Sequence, residues 1–132
     1  MEPHELEALA DRLAIEDLLT RYAHAVDRHD WDLYRSVFTD DAHIDYTSAG
    51  GIAGTLDEAV SFLEATMPIF EMTQHLVGNV DVRIEGDTAT VSAMFNNPMR
   101  LPDGEVWFTG GWYHHDLVRT GDGWRSRNLR AE

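Results

Sequence analysis

A change in hydrophobic periodicity along the chain predicts an α+β fold. Helical spacing dominates as far as Met67, and period-two alternation dominates from Met72 onward. Turn signals at Glu85-Gly86-Asp87 and Thr120-Gly121-Asp122-Gly123 divide the later part into consecutive strands. Early helices followed by clustered strands imply a mainly antiparallel sheet with helices on one face.

The first helix rests on Ile15, Leu18, Leu19, Tyr22 and Val26 at helical spacing, with Leu6, Leu9 and Leu13 expected to continue the inward stripe upstream. Asp30 is suited to cap a short second helix from Trp31 to about Phe38, with Leu33, Val37 and Phe38 apolar. Thr39-Asp40-Asp41 reads as a break, and Ala42 to Tyr46 as a short strand. Ser48-Ala49-Gly50-Gly51 is expected to be a loop. Thr55-Leu56-Asp57-Glu58 matches a capping box opening a third helix, with Ala59, Phe62, Leu63 and Met67 inward and Pro68 as its stop. Met72 to Ile84 and Thr88 to about Asn97 read as strands, and Pro98 to Gly104 as a turn-rich connection. Glu105 to Arg119 and Trp124 to Leu129 complete the sheet. No repeat or linker interrupts the chain, so residues 1–132 are expected to form a single domain.

Composition narrows the function. The chain holds 10 Lys plus Arg against 24 Asp plus Glu, a formal net charge of −14. Such a charge repels phosphate backbones and anionic bilayers, so neither nucleic acid nor membrane is an expected partner. The absence of cysteine removes disulfides, thiolate metal sites and thiol nucleophiles. The acidic start, Met1-Glu2-Pro3-His4-Glu5, does not read as a secretion signal, and a cytoplasmic location is the expectation. No metal is expected, because adjacent His114 and His115 would point to opposite faces of a strand and no paired helical histidine motif is present. Neither a phosphate-binding loop nor a dinucleotide fingerprint is found, so no cofactor is expected.

Two stretches carry a family resemblance. Val26-Asp27-Arg28-His29-Asp30-Trp31-Asp32 with Phe38-Thr39-Asp40-Asp41-Ala42, and later Gly111-Trp112-Tyr113 with Asp122-Gly123-Trp124-Arg125, resemble SnoaL-like proteins of the nuclear-transport-factor-two-like superfamily. That resemblance implies a cone-shaped, curved sheet packed against three N-terminal helices around a central cavity. Asp27 to Asp32, Ile44-Asp45-Tyr46 and Thr73-Gln74-His75 resemble the scytalone dehydratase and bile-acid dehydratase branch. The resemblance implies an Asp27–His75 acid–base pair, with Tyr46 and Tyr22 holding a substrate oxygen or a water. The second pocket histidine of scytalone dehydratase has no counterpart in Phe95-Asn96-Asn97-Pro98-Met99, where Asn97 offers an amide instead.

The same residues have plainer readings. Asp27 would suit a solvated helix end, His75 the edge of a core, and the tyrosines ordinary core positions. Phe62, Met94 and Trp112 are expected, with Asn97, to line a substrate pocket, among other large apolar side chains that are plentiful in the second half. The expected function is a cofactor-independent lyase or isomerase acting on a small apolar or polycyclic carbonyl compound. The alternative is a non-catalytic ligand-binding or assembly module on the same fold. A homodimer or homotrimer is expected to form through the outer sheet face around Trp107 and Trp112, because helices cover only one face.

Overall fold

The computed structural model describes residues Met1–Glu132. Three helices, α1 (Pro3–Arg28), α2 (Trp31–Ser36) and α3 (Leu56–Thr66), accompany seven strands. The strands are β1 (Phe38–Asp45), β2 (Ala53–Thr55), β3 (Met72–Thr73), β4 (Leu76–Glu85), β5 (Thr88–Arg100), β6 (Val106–Thr120) and β7 (Gly123–Ala131). They form one curved, open sheet in the order β2-β1-β7-β6-β5, with β3 and β4 sharing the outer edge of β5. All pairs are antiparallel except β1 with β7. The helices cover the concave side, where Ile15, Leu18, Tyr34, Phe38, Ile44, Leu117 and Leu129 are fully buried.

The helix ends follow their sequence signals. Pro3 opens α1 where a missing N–H costs nothing, and His29 closes it in the left-handed conformation at φ 54°. Asp30 caps α2 by accepting from the Leu33 N–H at 3.0 Å. In the capping box, Thr55 Oγ1 accepts from the Glu58 N–H at 3.2 Å while Glu58 Oε1 accepts from the Thr55 N–H at 3.1 Å.

Several boundaries differ from expectation. The upstream leucines of α1 do not join the core: Leu6, Leu9 and Leu13 are exposed, as is every residue before Asp11. The first turns run past the sheet, and the earliest tie is Asp11, which accepts from both terminal nitrogens of Arg119 and from the Trp124 indole. The second helix ends at Ser36, not Phe38, because Phe38 already belongs to β1, in register with Ser126 of β7. Thr39-Asp40-Asp41 is therefore an irregular stretch within a strand and not a break. Pro98 lies inside β5, opposite Phe108. Its carbonyl faces the gap between β3 and β4, accepting from the Gln74 N–H at 3.2 Å, so the absent proline N–H removes no bond to β6.

The expected Met72–Ile84 strand is split at Gln74 and His75. There the His75 backbone N–H turns to Asp27 (2.8 Å), and Asn97 Oδ1 also accepts from the Gln74 N–H (3.1 Å). The Asp27 carboxylate thus takes up the His75 amide, while Asn97 shares the Gln74 amide with the Pro98 carbonyl of β5. A second irregularity follows between Gly78 and Asp81, where Asn79 adopts φ 49°.

Candidate active site

The C-terminal end of α1 lies against the break between β3 and β4, and Asp27 and His75 meet there. His75 Nδ1 is 2.6 Å from Asp27 Oδ1. A carboxylate only accepts, so Nδ1 carries the proton and donates, leaving Nε2 as the nitrogen free to meet a ligand. Asp27 Oδ1 also accepts from the Thr73 hydroxyl at 2.8 Å, and Oδ2 from the His75 N–H at 2.8 Å. Burial raises the Asp27 pKa, but the hydrogen bonds from the His75 ring and backbone, its charge and the Thr73 hydroxyl outweigh it. The carboxyl is held below its ordinary 3.8 and is ionised near neutrality.

His75 forms part of the wall of a cavity of about 650 Å³ between helices and sheet. Most of the other lining is apolar: Val26 of α1, Phe62 and Leu63 of α3, Phe95 and Met99 of β5, and Trp107 of β6. Gly51 permits this closeness, since a Cβ there would sit 2.8 Å from Tyr46 Cβ and 3.1 Å from the Phe62 ring. Behind the dyad lies a separate polar groove, lined by His24, Asp27, Arg28, Gln74, His75 and Asn96 among others. His75 therefore separates an apolar chamber from a polar one.

Polar groups enter the apolar chamber at two further places. Asn97 is only 4% exposed, and its Oδ1 is fixed by the Gln74 N–H, so its NH₂ group is left for a ligand. The other place is a tyrosine cluster, where Tyr46 Oη lies 2.6 Å from Tyr22 Oη and 2.8 Å from Tyr34 Oη. Tyr22 and Tyr46 line the cavity, and Tyr34 stands behind them. Tyr113 packs its ring edgewise on Tyr22 (5.1 Å between centroids) and face to face on Phe95 (4.1 Å). Burial pushes the hydroxyls of Tyr22, Tyr34, Tyr46 and Tyr113 well above the usual tyrosine range, so they remain protonated donors.

The structure thus brings Asp27, His75, Tyr22, Tyr46, Asn97 and Phe62 to one place. It does not bring Met94 or Trp112. Phe95, Asn97 and Met99 face the cavity from β5, so the alternating Met94 faces away, beside its register partner Trp112. Trp107, expected on the outer face, instead lines the cavity and packs against Phe70 at 6.0 Å. The sequence alone assigns no site role to Tyr34, Thr73 or Tyr113. Tyr113 shares a strand face with buried His115 and Leu117, a period-two signal that points inward. Tyr34 and Thr73 carry no comparable signal, because their roles depend on partners far along the chain. No three histidine, aspartate or glutamate side chains gather as a metal site would require.

This arrangement of helices, curved sheet and lined cavity is that of a known family. The chain belongs to the SnoaL-like domain family, whose model matches residues 7–130. It is 41% identical over 119 residues to an uncharacterized protein of Mycobacterium tuberculosis, covering 89% of this chain and 81% of that one. Among solved structures, the Kfla4162 protein from Kribbella flavida is similar at 34% identity and a TM-score of 0.85, covering 94% of this chain and 90% of that chain. The hexachlorocyclohexane dehydrochlorinase LinA-type3 from Novosphingobium barchaimii shares the fold at 19% identity and a TM-score of 0.85, covering 97% of this chain and 89% of that chain.

Proposed function

We propose that the protein is a cofactor-independent lyase that removes water from, or an isomerase that moves a double bond within, an apolar carbonyl compound. The observation that carries this reading is the Asp27–His75 pair, joined at 2.6 Å, with His75 in the wall of an apolar cavity. An imidazole backed by a carboxylate can take a proton at its free nitrogen and return it near neutral pH. In dehydration, His75 Nε2 takes the proton from the carbon beside the carbonyl, and the C–H electrons form an enolate. The enolate then expels the β-hydroxyl, the C–O bond breaks, and the proton on Nε2 passes to the departing oxygen as water. Asp27 keeps Nδ1 protonated and stabilises the imidazolium. Asn97 and the tyrosine pair donate to substrate oxygens, stabilising the charge that develops there. Isomerisation uses the same first step, with the proton returned to a different carbon.

The shared fold of a dehydrochlorinase, which also eliminates across a carbon–carbon bond, is compatible with this reading. The non-catalytic alternative draws its support from Asn97, an amide that cannot transfer a proton, in the stretch where scytalone dehydratase carries a second pocket histidine. The test is a panel of hydroxylated aromatic and alicyclic ketones, followed by ultraviolet absorbance for a conjugated product and by deuterium uptake from heavy water. Turnover by the wild type that falls together in His75→Gln and Asp27→Asn supports the lyase. A bound ketone that neither reacts nor exchanges in the wild type supports the binding module.

A further inference from the structure

Three phenols meet at Tyr46, but only Tyr22 and Tyr46 line the cavity. Tyr34 is 0% exposed, and Tyr46 is the sole hydrogen-bond partner of its hydroxyl, at 2.8 Å. Its ring is held by Phe38 at 4.9 Å, Tyr22 at 5.7 Å and Trp31 at 5.9 Å, so the hydroxyl cannot swing to another acceptor. We propose that Tyr34 is a positioning residue that donates to Tyr46 and thereby directs the hydroxyl chain towards the cavity and polarises the phenol O–H left there for a substrate oxygen.

Each phenol carries one hydroxyl proton, and a buried O–H without an acceptor is strongly disfavoured. Tyr34 has one acceptor within reach and must donate to Tyr46. Tyr46 therefore cannot donate back. Either it donates to Tyr22, whose own proton then turns into the cavity, or it accepts from Tyr22 as well and turns its own proton there. In both cases three protons serve two internal bonds, and the third emerges on a hydroxyl that lines the cavity. That O–H has a donor chain behind it, and each such bond strengthens the next by roughly 10–30%. A leftover donor in an apolar chamber selects an uncharged acceptor, of which a ketone oxygen is the simplest.

This inference rests on the reading that the cavity takes a carbonyl compound. The probe is 4-phenylbutan-2-one labelled with ¹³C at the carbonyl, observed by NMR at saturation. In the wild type its carbonyl resonance should lie downfield of its position in an apolar solvent. Tyr34→Phe should move it back by roughly 10–30% of that displacement, with the ring contacts of the bound ketone unchanged, and Tyr22→Phe with Tyr46→Phe should reduce the displacement further, to what the remaining donors such as Asn97 sustain. An identical resonance in wild type and Tyr34→Phe would overturn the proposal. Hydroxyl protons in the ligand-free protein give a second measurement. The proton between Tyr34 and Tyr46 should show its through-space contacts to the Tyr34 ring, as expected if it resides on that oxygen; a proton residing on Tyr46 there also overturns the proposal. Failure of the ketone to enter the cavity counts against the carbonyl reading, while the hydroxyl measurement still decides the role of Tyr34.

Discussion

His115 shows at the residue scale how burial converts a titratable group into a pH-dependent cost. It is 2% exposed, and its Nδ1 lies 2.8 Å from Ser126 Oγ. The Ser126 hydroxyl gives its one proton to the Asn128 carbonyl at 3.1 Å, so Nδ1 must donate to Ser126 and Nε2 must be bare. Nε2 has no partner in the fold. Burial, with a smaller contribution from the neighbouring His114, lowers the His115 pKa from 6.5 to about 3. The folded state thus refuses a proton that the unfolded chain accepts. Stability should be constant with respect to this group above its unfolded value of 6.5 and should fall as pH drops from there towards about 3. Asp27, held below 3.8, acts in the same direction at the acid end of that window. Denaturant titrations of His115→Phe and wild type between pH 7 and 4 should therefore show a shallower acid decline in the variant, with a slope reduced by about 1.4 kcal/mol per pH unit at most. Parallel declines would mean that His115 already takes its proton inside the fold.

At the element scale, the features readable from the sequence were those made by neighbours in the chain. The caps at Asp30 and Thr55 are local chemistry, and both form. Thr55→Ala should lower stability by about 1 kcal/mol in a denaturant titration, and no change would mean that the cap is redundant. The upstream half of α1 was misjudged for the opposite reason. Its leucines repeat at helical spacing, but periodicity says nothing of whether a partner lies opposite, and none does. The break before β4 was equally hidden, because it depends on Asp27 and Asn97, which come from other elements. The dyad itself became legible only through resemblance, since nothing local relates Asp27 to His75 across 48 positions. Met94 and Trp112 were misplaced because composition supplies large apolar residues without fixing which sheet face they occupy. Gly111 carries a constraint of this nonlocal kind. A Cβ there would sit 2.0 Å from the Glu132 carbonyl oxygen, where Trp112 and Glu132 exchange backbone bonds of 3.0 and 2.8 Å. Gly111→Ala should lower the melting temperature by several degrees, and more than Gly78→Ala, whose Cβ meets open space. The reverse order would contradict the close approach.

For the whole molecule, the curved sheet and the covering helices leave an apolar chamber, and the dyad stands between it and a polar groove. No helix is long and apolar enough to cross a membrane. The cavity claims Trp107, so the outer face offers less apolar surface than composition suggested, but Met94 and Val106 remain exposed, and Phe108 at the cavity rim is 75% exposed. We propose that a second or third copy covers part of this surface, and sedimentation at micromolar concentration should then give a species larger than 15.0 kDa. A lone 15.0 kDa species would remove that proposal. The proposed activity depends more directly on the dyad. The most direct measurement is the rate at which a ketone that the wild type turns over or exchanges takes up deuterium at the carbon beside its carbonyl, compared with His75→Gln at equal occupancy. Glutamine can hold a hydrogen bond to Asp27 but cannot accept a proton near neutral pH. Proton transfer by His75 requires a rate lower by about 10²–10⁴-fold in the variant, with ketone affinity within a few fold of the wild type. Equal exchange rates in the two proteins would contradict it.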